Sequence, residues 1–277
     1  MLGFTQVKKY INTRISIHFI IKCYSDRDIT LNLGFIQIVQ GSLSLVYIVI
    51  ALILSGIFIS KYLKLAMREF FFIGLALIGM AGPWFPEALG FVIIAITGGG
   101  LSDQFYLNSV IAIYIIFTAY LPVAIMSWLT AIMKLLNIKK RKLILIVLLI
   151  IFIAFEITFF TLAAINLELI GTFVDPFNSM ESLFIEVFYI SILIILLLSG
   201  FIFSIKSIKS KIPKVQLKGK ILLIGFIMFI IGGLLPYLVY DLVGLIITRI
   251  IVLLSAVLIY IGFLLPNFIL KLFKIED

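Results

Sequence analysis

The chain is poor in the residues that do chemistry. It has one cysteine, Cys23, and one histidine, His18. A single thiol excludes an internal disulfide and a cysteine metal cluster, and a single imidazole excludes the usual zinc motifs. Charge is scarce too: 13% of the residues are Asp, Glu, Lys or Arg, about half the share of an average soluble chain. The polar surface that a separate soluble domain requires is therefore missing. There is no HExxH, GxSxG or GxxxxGK(S/T) run and no paired-aspartate protease pattern. Gly98-Gly99-Gly100 lacks the strand before it and the helix start after it that a phosphate loop needs. No lysine lies in the last long apolar run, which excludes a retinal Schiff base there. These absences point away from an enzyme and imply no cofactor.

What the chain has is apolar length. Of its 277 residues, 64% are hydrophobic, 26 are Phe, and the mean hydropathy is +1.30. Runs of about 18 or more apolar residues mark membrane-spanning helices. Seven are found, at about 34–60, 70–98, 107–135, 143–165, 183–204, 221–240 and 243–266. The expected fold is all-α: a polytopic transmembrane bundle of seven helices forming one domain over 34–277. Residues 1–33 form an N-terminal extension. Its apolar stretch IHFII is too short to span, and Lys8, Lys9, Arg14, Lys22 and Arg27 surround it. It reads either as an interfacial helix or as residues upstream of a misassigned start.

The net charge of +9 takes its meaning from its location. Lys61, Lys64 and Arg68 follow the first span, and Lys134, Lys139, Lys140, Arg141 and Lys142 follow the third. Lys206, Lys209, Lys211, Lys214, Lys218 and Lys220 follow the fifth, and Lys271 and Lys274 follow the seventh. The loops after the second, fourth and sixth spans hold no Lys or Arg. The positive-inside rule then places the N-terminus outside and the C-terminus in the cytoplasm of a multi-pass cell-membrane protein. The basic residues within 1–33 run against that assignment. Placed at a membrane surface, this charge argues for the lipid bilayer as partner and against nucleic acid. The stretch 205–220, with net charge +6, is a candidate contact for a cytoplasmic or membrane protein. The plainer reading of the same lysines is a topology signal.

Acidic residues follow the opposite distribution. Asp103, Glu168, Asp175, Glu181 and Asp241 fall in or beside the loops without basic residues, and Asp241 suits a helix cap. Glu87, Glu156 and Glu186 lie inside spans, as does one cation, Arg249. At 1.5 Å per residue Glu156 is about 14 Å, and Arg249 about 9 Å, from the outer ends of their spans. An intramembrane charge costs at least about 2.5 kcal/mol, so such groups face the bundle interior and pair. Arg249 with Glu156, Glu186 or Glu87 satisfies both partners. The expected site is an outward-facing ligand pocket lined by Trp84, Glu87, Glu156, Glu186 and Arg249. The alternative is a buried ion pair that only fixes helix register.

Two spans are interrupted. The second carries Gly82, Pro83 and Pro86, and the sixth carries Gly232, Gly233 and Pro236 before Tyr237 and Tyr240. Breaks at matching positions of two halves are a pointer to a transport site, here as a parallel repeat of spans 1–3 and 5–7 around span 4. They equally serve as kinks that seat helices. The connection 166–182, with turn chemistry at Asp175-Pro176 and Asn178, is an ordinary link or a lid over the bundle mouth.

Three runs carry a resemblance: GPWFPE at 82–87, IGTF at 170–173 with Asp175-Pro176, and Lys218-Gly219-Lys220 leading into LLIGFIMF. Over roughly 34–274 the chain resembles an uncharacterised prokaryotic, archaeal family of seven-helix membrane proteins. In helix count and orientation it is also similar to the seven-helix input modules of bacterial sensor kinases, without the kinase portion. The resemblance implies fold and membrane location, and brings no ligand or site. The functional expectation is a receptor-like sensory module, with a small transporter and an accessory membrane protein as alternatives.

Overall fold

The computed structural model describes residues 34–98, 103–173, 179–235 and 242–273. The extension 1–33 with His18 and Cys23, the glycines Gly99 and Gly100, the turn residues Asp175, Pro176 and Asn178, the residues Pro236, Tyr237 and Tyr240, the cap expected at Asp241, and Lys274 lie outside the described residues.

Among the described residues seven helical segments are long and apolar enough to cross a membrane. The first span is α1 (Phe35–Leu65). The second is α2 (Arg68–Met80), a 3-10 turn (Gly82–Trp84) and α3 (Phe85–Thr97). The third is α4 (Asp103–Leu135), which runs through Pro122 without ending. The fourth is α5 (Arg141–Ile165) and the fifth α6 (Leu183–Ile208). The sixth is α7 (Pro213–Leu234) and the seventh α8 (Leu242–Leu264), followed by the short α9 (Asn267–Leu272). Between α5 and α6, β1 (Gly171–Phe173) pairs antiparallel with β2 (Ser179–Glu181).

Six of the spans close a ring. α1 packs on α2 and α3 to one side and on α8 to the other. α8 packs on α7, α7 on α6, α6 on α4, and α4 returns to α2 and α3. Burial from water does not drive helices together inside lipid, so close packing and interhelical hydrogen bonds must hold such a ring. Both are present. A Cβ on Gly79 would collide with the Ala124 side chain, so glycine sets how near α2 comes to α4. Ser55 Oγ donates to the Gly74 carbonyl at 2.8 Å, joining α1 to α2. Trp128 Nε1 donates to Ser199 Oγ at 2.9 Å, joining α4 to α6. Aromatic rings fill the middle: Phe263 meets Phe58, Trp128 and Phe203.

The fourth span stands outside the ring. α5 sits on α4 and reaches α6 through aromatic rings, with Phe155 on Phe188 at 3.4 Å between centroids and Phe152 edge-on to Phe188 at 6.2 Å. Its remaining surface is open. Only 17% of its most apolar stretch is buried, against 61% for the second span; the difference decides which of the two faces lipid.

The lysine-rich stretch departs from expectation. It is mostly helix rather than loop: α6 continues to Ile208 and α7 begins at Pro213. Pro213 suits a first helical turn, where its missing N–H is not needed. Long lysine stems let a helix continue past the apolar run that defined the expected span. Two of these lysines close helix ends within the chain. Lys206 Nζ donates to the Leu136 carbonyl just past α4 at 2.7 Å. Lys218 Nζ donates to the Phe263 carbonyl in the last turn of α8 at 3.0 Å. A cation at a helix C-terminus meets unpaired carbonyls and the negative end of the dipole. At the same end Lys134 pairs with Glu69 at 2.6 Å.

Candidate functional site

The break in the second span is a helix restart. α2 ends at Met80, and Ala81 N–H still bonds the Leu77 carbonyl. Gly82, Pro83 and Trp84 then make one tighter turn, and α3 starts with Pro86 in its first turn. Proline costs little there, because no helical partner is required of its nitrogen. Backbone bonds within the turn take up freed groups: Trp84 N–H donates to the Ala81 carbonyl and Phe85 N–H to the Gly82 carbonyl. Phe85 stacks on Phe117 of α4 at 3.6 Å between ring centroids, which pins the restart to the ring. The consequence is the placement of Glu87. It sits in the first turn of α3, where free N–H groups and the helix dipole favour a carboxylate.

Arg249 of α8 meets it. Arg249 Nη2 donates to Glu87 Oε2 at 2.6 Å, and the two residues are 8% and 3% exposed. The guanidinium carbon also lies 5.9 Å from the Trp84 ring centroid, within reach of a cation–π interaction. Tyr47 of α1 packs edge-on to Trp84 at 4.9 Å, and Phe229 of α7 does so at 6.3 Å. The charge pair therefore lies on the seam where α1, α3 and α8 meet, walled by aromatic rings.

The pair is joined at one point. A guanidinium and a carboxylate can bond through two parallel contacts. Here Glu87 Oε1 and Arg249 Nε are buried with no hydrogen-bond partner among the described residues. A third such atom lies on α1. A Cβ on Gly41 would collide with the Phe91 ring, and Tyr47 contacts Trp84. These two contacts, one with α3 and one with the turn before it, run antiparallel and place Ser44 level with Glu87 along the helix axes. Ser44 Oγ is also buried and without a partner among the described residues. Gln40, one turn away on the same helix, is fully buried. The seam thus offers a donor at Arg249 Nε, an acceptor at Glu87 Oε1 and a hydroxyl at Ser44 that can do either. Buried polar atoms in native proteins rarely stay unbonded, and a small polar molecule or water usually completes them.

The other expected site residues lie elsewhere. Glu186 is half-buried in the first turn of α6, a position where a carboxylate complements the helix dipole. Glu156 is half-buried on α5, outside the ring. Among the described residues neither pairs with Arg249. The structure unites Trp84, Glu87 and Arg249, and adds Ser44, Gln40 and Tyr47. Those three were readable: Gln40, Ser44 and Tyr47 recur at helical spacing in a mostly apolar span. The strand pair in the connection 166–182 is anchored to α4, where Tyr114 donates to the Ile170 carbonyl at 3.4 Å. Among the described residues no group of three or more metal-binding side chains occurs.

No family model, curated protein or solved structure matches the chain.

Proposed function

We propose that the chain is an integral membrane receptor-like sensory module, without catalytic activity, that takes a small polar molecule or lipid headgroup at the Glu87–Arg249 seam. The observation that carries this reading is the unmet bonding capacity of Ser44 Oγ, Glu87 Oε1 and Arg249 Nε, all buried without a partner among the described residues. A ligand offering both an acceptor and a donor answers all three. The lysine distribution supports an orientation with the N-terminus outside and the C-terminus in the cytoplasm, so the seam opens outward in this proposal. Glu87 lies about 15 Å, and Arg249 about 10 Å, from the lysine-poor ends of α3 and α8, counted at 1.5 Å per residue. The resemblance in layout to sensor-kinase input modules supports the same reading. Kinking at the 3-10 turn gives the second span two ways to pack, and a ligand that binds one of them better shifts the balance.

A transporter is the second reading, and one observation favours it. The ring consists of two arcs, spans 1–3 and spans 5–7, whose middle spans each carry glycine and proline at corresponding places in the sequence. The two readings separate in one experiment. Trp128→Phe leaves Trp84 as the single tryptophan of the chain. In proteoliposomes its emission is titrated with a panel of amino acids, carboxylates and phosphorylated headgroups, alongside uptake of the same labelled solutes. The sensory reading predicts a saturable emission change that Ser44→Ala and Arg249→Gln abolish, with no uptake. Uptake that depends on Glu87 replaces it with transport.

A further inference from the structure

Glu156 is the second anomaly of the membrane region, and the seam does not use it. It lies on α5, about 14 Å from the nearer helix end at 1.5 Å per residue, too far for a short carboxyl side chain to reach the interface. The inward stripe of α5 is Phe152, Phe155 and Phe159, all buried. Glu156 stands at the edge of that stripe, half-buried. On the same side Ile153, Ile157 and Phe160 are exposed. The other polar side chains of this open face satisfy themselves. Thr158 Oγ1 donates to the Ala154 carbonyl at 2.9 Å, and Thr161 Oγ1 to the Ile157 carbonyl at 2.6 Å. Glu156 has no hydrogen bond or ion pair among the described residues.

We infer that the open face of α5 is a docking surface for another transmembrane helix, one that carries a single Lys or Arg at the depth of Glu156. Charge complementarity selects this occupant. A carboxyl in hydrocarbon seeks a partner, acyl chains offer no donor, and the cation of this chain at similar depth, Arg249, is already held by Glu87. A second copy of α5 would bring two carboxyls together, which disfavours their charged forms. A basic helix supplies the missing charge, and the isoleucines beside Glu156 supply the apolar ridge that packs around it.

The test uses the full chain in nanodiscs with a labelled synthetic polyleucine helix carrying one Lys about 14 Å from one end. The control helix carries Leu at that position. Energy transfer between chain and helix is the readout. The inference predicts association with the Lys helix only, weakened about tenfold by Glu156→Gln. Ile153→Trp, one turn away with Glu156 intact, blocks it sterically, so the result does not hang on one variant. Glu186→Gln leaves it unchanged. Equal association of the Lys and Leu helices overturns the inference, as does full binding by Glu156→Gln. Self-association of the chain that depends on Glu156 overturns it in favour of a second copy.

Discussion

Glu87 and Glu156 are the same side chain in two opposite settings. Glu87 sits on the seam of α1, α3 and α8, 3% exposed and bonded to Arg249. Glu156 sits on the span outside the ring, half-exposed, with no partner among the described residues. The second span, which carries Glu87, is the most buried of the seven, and the fourth, which carries Glu156, is the least. A carboxyl in a membrane is thus interpretable only through its helix's neighbours. Where neighbours surround it, the carboxyl organises the chain's own packing. Where they are missing, it points to something outside the chain.

The largest effect that sharpens this contrast concerns the cation. Arg249→Ala leaves a carboxylate buried without its partner, and breaking such a pair costs about 3–5 kcal/mol. Reversible unfolding in bicelles measures it, and a loss within about 0.5 kcal/mol would rank the pair with ordinary surface contacts. A smaller effect tests whether the ring itself holds Glu87 in place. Gly79→Val forces a side chain into the Ala124 contact, and overpacking of this kind costs about 1–3 kcal/mol. The same unfolding experiment reads it, and an unchanged midpoint would mean that α2 and α4 are free to separate. The smallest effect belongs to the other carboxyl. Glu156→Gln changes a group that has no partner among the described residues, so the isolated chain is expected to keep its stability to within about 0.5 kcal/mol. A large loss would reveal an internal partner and erase the contrast.

Much of this was legible in the sequence. The seven spans follow from long, predominantly apolar runs, which lipid requires of any helix that crosses it. The interruption at Gly82-Pro83 and Pro86 was visible as well, because proline chemistry is local. Three things were hidden. The choice of Glu87 over Glu156 and Glu186 as the partner of Arg249 depends on which helices are neighbours, and depth along a span does not encode that. The ring places α8 beside α1, and span order alone leaves that adjacency open. The ends of α6 and α7 were hidden because an apolar run stops at the first lysine while the helix goes on. Lys206 and Lys218 bond carbonyls at the ends of α4 and α8, contacts that no sequence pattern encodes. Ser44 was in plain view, but one serine among several in α1 gains meaning only once Glu87 stands level with it.

The most direct measurement is a pair of double-mutant cycles by reversible unfolding in bicelles, one between Glu87 and Arg249 and one between Glu156 and Arg249, with Gln replacing Glu and Met replacing Arg. A coupling of about 2–3 kcal/mol in the first cycle and one near zero in the second is the predicted result. A first coupling near zero, or a second as large as the first, would contradict the seam as the place where this chain keeps its buried charge.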